Sequence, residues 1–182
     1  MTNPILDWED VVILEDASTA PLSTILPQKW GLVVLFRHAE CMECNLLVHE
    51  LNALHNHFSK WNTQVIGIGI GDVSSIKRLR SRLGIHEDVI LCAHPTRLLH
   101  KKLKLKNSIL GAWGFKALWN TIKGFQQGHL QTSIAFPMGQ QSGLVLLSPD
   151  REIRWIHRSE YLGDIPTRGN ILEQLLLHQM EE

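Results

Sequence analysis

Cysteine is scarce in this chain: 182 residues contain three, Cys41, Cys44 and Cys92. Three are too few and too unevenly placed for a disulfide scaffold, and pairing any two leaves the third alone. Such usage fits a reducing compartment, where a close pair is more often catalytic or metal-binding than structural. No uninterrupted apolar run reaches the ~20 residues that a membrane-spanning helix needs. Charge of one sign is missing too, since 18 Lys and Arg stand against 18 Asp and Glu. That balance removes any global argument for nucleic acid or an anionic membrane surface as partner. Met1 to Asp10 is polar and acidic, without the basic start and apolar run of a secretory signal. Internal repeats, low-complexity tracts and linker-like stretches are also lacking. The expectation is one soluble, cytoplasmic domain over residues 1–182, with no nucleic-acid partner and no membrane span.

What is present is ample apolar material, 44% of the residues, arranged in short blocks. Val11 to Leu14 and Leu22 to Leu26 are apolar runs separated by the turn-like Asp16-Ala17-Ser18-Thr19. Gly31 to Phe36 is a continuous β-rich run, suited to a strand buried on both faces. Leu47, Leu51, Leu54 and Phe58 then recur at three- and four-residue spacing and predict one apolar helix face. Val65 to Ile70 is a second buried strand whose glycines permit close backbone approach. Asp72 to Ser75 offers N-cap residues for a basic helix to about Leu83, and Gly84 is its expected stop. Val89 to Cys92 predicts a third strand, and Arg97 to Leu103 a helix. Leu144 to Leu147 and Ile153 to His157, either side of Ser148-Pro149-Asp150, predict a β-hairpin, with a final helix around Ile171 to Leu177. Alternating strands and helices favour parallel crossovers, and the hairpin adds an antiparallel edge. The order is that of an α/β thioredoxin-like fold: a central mixed sheet flanked by helices, with an N-terminal extension and a late β-hairpin.

The chemistry concentrates at Cys41-Met42-Glu43-Cys44, between the first buried strand and the helix after it. Two cysteines three apart can both face one side of a first helical turn. Free N–H groups and partial positive charge there favour a thiolate. The second thiol can close a disulfide and release a substrate, so the spacing permits two-electron exchange. Arg37 and His38 are supporting residues that stabilise a thiolate, whereas Glu40 and Glu43 are like charges that oppose one. The balance predicts a nucleophile less acidic than that of the strongest thiol oxidants, whose pKa lies near ~3.5. A zinc site is the competing use of a CxxC pair. No second CxxC is present, and the paired-histidine spacing of a zinc finger is missing among His49, His55 and His57, so neither a metal nor a cofactor is expected.

Three segments in order resemble the AhpC/TSA-like antioxidant-domain family, in its peroxiredoxin-like branch. They are Val33 to Arg37 followed by Cys41-Met42-Glu43-Cys44; Val89 to Pro95 running into Leu103-Lys104-Leu105; and Gln140-Gln141-Ser142-Gly143 with the late hairpin, His157-Arg158 and Gly163-Asp164. The similarity runs from about Leu22 to Leu175. It implies a thioredoxin fold, thiol redox chemistry at Cys41 and Cys44, a protein or small-molecule substrate, and re-reduction by a thiol donor such as thioredoxin or glutathione. Two assignments stay open. A thioredoxin-type order makes Cys41 the nucleophile and Cys44 the resolving thiol. Aligning the family's peroxide-reactive cysteine with Cys44 reverses them and puts Arg37 and Cys41 where the family carries Pro and Thr. Ser142-Gly143 stands where thioredoxins place a cis-proline, which keeps a second function class open: a redox-sensing protein-binding module on the same fold.

The remaining features read as structure. Cys92 ends an apolar strand, as a buried inert thiol would. Lys101 to Lys106 alternates with leucines like the solvated edge of an element. Arg158 and Asp164 are placed for a structural ion pair. The aromatic stretch 108–128, with Trp113, Phe115, Trp119 and Phe125, suits a covered core or a homodimer interface.

Overall fold

The computed structural model describes residues 9–37, 41–107, 139–161 and 163–180. Strands β1 (Val11–Leu14) and β2 (Thr19–Pro21) form an antiparallel hairpin. Its turn is closed by Asp16, whose Oδ1 accepts from the Ser18 amide at 2.9 Å. The run that follows is a single helical turn, α1 (Leu22–Ile25). Strand β3 (Trp30–Phe36) is buried along its whole length. It leads to α2 (Met42–Ala53) and α3 (His55–Lys60), then β4 (Thr63–Ile70), α4 (Val73–Leu83) and β5 (Ile90–His94). After α5 (Leu98–Lys102) come β6 (Gly143–Leu147), β7 (Ile153–Arg158) and the last helix, α6 (Arg168–Gln179).

The strands make one seven-stranded sheet in the order β2-β1-β5-β4-β3-β6-β7. The centre, β5-β4-β3, is parallel, and both flanks are antiparallel. This is the expected mixed sheet, with one addition: the N-terminal extension is itself a hairpin paired to β5 through Ile13 and Leu14.

Alternation along β3 divides the core in two. Leu32, Val34 and Phe36 pack with Leu47, Leu51, Leu54 and Phe58 from α2 and α3 and with Ile171 and Leu175 from α6. Val33 and Leu35 face the other side, with Leu22, Leu99 and Leu103. The predicted apolar helix face is therefore real, but it is carried by two helices. The chain turns tightly at Leu54, whose amide donates to the Leu51 carbonyl at 3.0 Å, so the same spacing continues around a bend. Helix α4 begins and ends as its sequence dictates: Asp72 Oδ1 accepts from the Ser75 amide at 2.9 Å, and Gly84 takes the left-handed conformation at φ 58°. At the other end of the chain, α6 starts on a reciprocal cap between Thr167 and Asn170.

The lysine run also behaves as an edge. Leu103 and Leu105 are buried, while Lys102 pairs with Asp10 at 2.8 Å and Lys106 with Glu160 at 3.6 Å. The expected Arg158–Asp164 ion pair does not form among the described residues. Arg158 Nε donates to the Leu103 carbonyl at 2.8 Å, and Asp164 accepts instead from the Glu160 amide at 2.8 Å. Among the described residues no helix is long and apolar enough to cross a membrane.

Gly67 is set by packing. A Cβ there would lie 2.6 Å from Leu91 Cδ2 and 2.7 Å from Phe36 Cε2, inside any ordinary contact. Gly67→Ala should lower stability by about 1–3 kcal/mol through overpacking. The expected result is a lower urea midpoint at unchanged slope; an unchanged midpoint would contradict this packing.

Candidate active site

The carboxyl end of β3 and the start of α2 bring the sulfur chemistry together. Cys41 is the N-cap of α2, in extended conformation, and its carbonyl accepts from the Asn45 amide at 3.1 Å. Its sulfur lies where the free N–H groups of the first turn converge. Cys41 is 1% exposed, and Cys44, one helical turn on, is fully buried; neither is in a disulfide.

The first influence on Cys41 is a hydrogen bond from the Cys44 thiol, which favours the thiolate. Burial opposes it, and the Arg37 charge and the amides of Cys44 and Glu43 again favour ionisation. The outcome is a thiol pulled down from 9.0 to about 6. Arg37 is itself buried. His38 and Glu40 lie outside the described residues, as does the aromatic stretch 108–128.

Glu43 has a different role from the one its charge suggests. It is fully buried, and burial, then the negative Cys41, push its carboxyl up from 4.5 to about 8. The Ser142 and Ser159 hydroxyls and Arg37 pull weakly the other way. At neutral pH Glu43 therefore holds a proton and does not repel the thiolate. Ser142 Oγ donates to Glu43 Oε1 at 2.7 Å and lies 2.9 Å from Ser159 Oγ, while Glu43 Oε2 has no hydrogen-bond partner among the described residues. Ser159 carries no motif and was not foreseen. It enters through hairpin register, its amide donating to the Ser142 carbonyl at 3.2 Å.

Further buried polar groups lie nearby in the chain: Gln140, Gln141 and Ser142 lead into β6 and are all buried. His100 is buried under β3, with Nε2 3.2 Å from the Phe36 carbonyl, and burial pushes it down to about 4. It is a neutral donor that holds the end of the strand before Arg37. Cys92 lies elsewhere, on the opposite face of the sheet, and burial pushes its thiol up to about 12. A buried thiol held protonated in this way is a poor nucleophile.

A mixed sheet with a cysteine pair at the start of the helix that follows β3 is the arrangement of a thioredoxin-like fold. The AhpC/TSA antioxidant enzyme family matches residues 50–161, and the chain belongs to that family. The match begins after the cysteine pair. Curated proteins include no sequence match to the chain. Among solved structures it is similar to a variant of peroxiredoxin Q from Xanthomonas campestris, at 14% identity and TM-score 0.65, covering 96% of this chain and 93% of that one. It is similar also to a variant of peroxiredoxin 6 from Arenicola marina, at 13% identity and TM-score 0.69, covering 100% and 74%. Peroxidoxin BcpB from Mycobacterium tuberculosis matches at 15% identity and TM-score 0.60, covering 94% and 92%. At these identities the likeness is one of fold.

The raised carboxyl has a stability signature. The folded value of Glu43 lies above its ordinary 4.5, so the stability it contributes is complete below that pH and is lost as pH rises through about 8. The advantage of the wild type over Glu43→Gln should therefore shrink steadily between those limits, measured as denaturation midpoints across pH. A difference that stays constant would contradict a protonated Glu43.

Proposed function

We propose that the protein is a thiol-dependent antioxidant oxidoreductase of the peroxiredoxin type, with Cys41 as nucleophile and Cys44 as resolving thiol. The observation that carries this reading is the environment of Cys41. Its sulfur accepts hydrogen bonds from the Cys44 thiol and the first-turn amides beside the Arg37 charge, and is pulled down to about 6. A thiol in that range is substantially ionised at neutral pH and remains nucleophilic.

In the proposed cycle the Cys41 thiolate attacks the terminal oxygen of a hydroperoxide. The O–O bond breaks, the alcohol or water leaves with a proton, and Cys41 becomes a sulfenic acid. Cys44 attacks that sulfur, water departs, and the Cys41–Cys44 disulfide forms. Two electrons have passed from the thiol pair to the peroxide, and a thiol donor such as thioredoxin or glutathione restores both thiols. Glu43 is a positioning residue that keeps a proton beside the thiolate. Because Cys41 is 1% exposed, substrate reaches the sulfur only when the chain around it opens locally. Two structural neighbours support peroxide as oxidant: the bacterioferritin comigratory protein of Xanthomonas campestris, which has alkyl peroxide reduction activity, and a thiol peroxidase from Chromobacterium violaceum. A reducing compartment such as the cytoplasm suits two unpaired thiols of this kind.

The test is hydroperoxide consumption coupled to a thiol donor, with each cysteine replaced by serine. Cys41→Ser should abolish both the first turnover and steady turnover. Cys44→Ser should keep a single turnover, leave a sulfenic acid detectable by dimedone labelling, and lose intramolecular disulfide formation. Retention of the first turnover in Cys41→Ser and its loss in Cys44→Ser would reverse the roles. No effect of either change would remove the enzyme reading and leave the binding-module one.

A further inference from the structure

Away from the cysteines, the fold gathers a second set of donor atoms that sequence spacing does not show. His55 opens α3, and His86 and Asp88 lie in the loop between α4 and β5. The two imidazoles stack with centroids 3.5 Å apart and an interplanar angle of 22°. Both turn a nitrogen to one carboxylate oxygen: His55 Nε2 is 3.6 Å and His86 Nδ1 3.4 Å from Asp88 Oδ2. All three donor atoms lie within 4.8 Å of one another.

We infer that His55, His86 and Asp88 form a binding site for a borderline divalent cation of the zinc class. A tetrahedral ion with bonds of 2.0–2.1 Å holds its ligands about 3.4 Å apart. The two nitrogen–oxygen separations already match. The two nitrogens lie within 4.8 Å of each other, and the stacked rings must turn until both in-plane lone pairs converge on the ion, which their partial exposure allows, His86 being 49% exposed. Two imidazoles and a carboxylate suit Zn²⁺, Ni²⁺ or Cu²⁺ and not Ca²⁺ or Mg²⁺, which take oxygen ligands.

The loop that carries two of the donors is held from several sides. Arg80 donates to the carbonyls of Ile85 at 3.2 Å, His86 at 2.7 Å and Val89 at 2.6 Å, and is itself fixed by Glu15 at 2.7 Å. Gln64 Nε2 donates to the Asp88 carbonyl at 2.5 Å, and Asn52 holds the Leu83 and Gly84 carbonyls at 3.3 and 3.2 Å. These bonds hold the backbone that carries His86 and Asp88, so that the two side chains start from a fixed base. The amide of Asp88 points at His86 Nδ1 from 3.4 Å, a long contact that a metal readily replaces. Three protein donors leave one position for water or a substrate oxygen. His55 and Asp88 also line a cleft of about 280 Å³ with Lys29, Ser59, Asn62 and Gln64, which gives that position access to solvent. A bound ion would tie α3 to the α4–β5 loop and raise stability by mass action.

The experiment is a Zn²⁺ titration of the reduced full-length chain by calorimetry, with melting temperature followed in parallel. One equivalent should bind and raise the melting temperature. His86→Ala, which alters a half-exposed side chain, and Asp88→Asn should each weaken binding at least tenfold and remove the thermal shift. The double change Cys41→Ser, Cys44→Ser should keep both, which separates this site from any metal held by the thiol pair and from the fate of the proposed enzyme activity. Unchanged affinity in His86→Ala and Asp88→Asn, loss of binding in the cysteine variant, or no saturable binding would each overturn the inference.

Discussion

Two buried acids, Cys41 and Glu43, face one buried cation, Arg37, and the low-dielectric interior cannot hold both of them ionised at small cost. The helix N-terminus and the Cys44 thiol decide which one carries the charge. In the unfolded chain at neutral pH the carboxyl is ionised and the thiol is not; in the folded protein, with Cys41 near 6 and Glu43 near 8, the order is reversed. Folding thus transfers one proton from sulfur to carboxyl without changing the charge of the pair.

Each layer of the fold serves that arrangement. The parallel strands β3 and β4 carry the chain to one edge of the sheet, where α2 starts with its free amides toward Cys41. Gly67 leaves space for Phe36, the last residue of β3, and His100 anchors the Phe36 carbonyl. Strand β6 pairs with β3 and delivers Ser142 to Glu43, and β7 then brings Ser159 to Ser142. Gly143 permits the close approach of β7, since a Cβ there would lie 3.0 Å from the His157 carbonyl oxygen, and it leaves room for Leu105, whose Cδ2 would be 2.7 Å away.

The local signals in the sequence were the readable ones. Asp72 and Gly84 bound α4 because capping chemistry is decided within a few residues. The run Gly31 to Phe36 declared a strand buried on both faces because both alternating sets are apolar, and the observed strand adds only Trp30. The bend at Leu54 was not legible: no glycine or proline marks it, and the apolar spacing continues past it. Nor was the pairing of β1 with β5, which joins residues far apart in the chain. At the site, the cysteine pair stands out by its spacing and Arg37 by its charge just before it. The sign of the Glu43 effect was not, because a sequence shows charge and not burial. Ser159 and the cluster of His55, His86 and Asp88 exist only through tertiary contact.

The central claim is that Cys41 and Cys44 form a reversible two-electron couple. Titration of the purified protein against glutathione or dithiothreitol buffers, with the disulfide counted by mass spectrometry, tests it most directly. The account predicts an intramolecular Cys41–Cys44 disulfide, with Cys92 left reduced, at a potential within the roughly −180 to −270 mV span of thiol-exchange proteins. Failure to form that bond at any buffer ratio, with both thiols recovered intact, would contradict it.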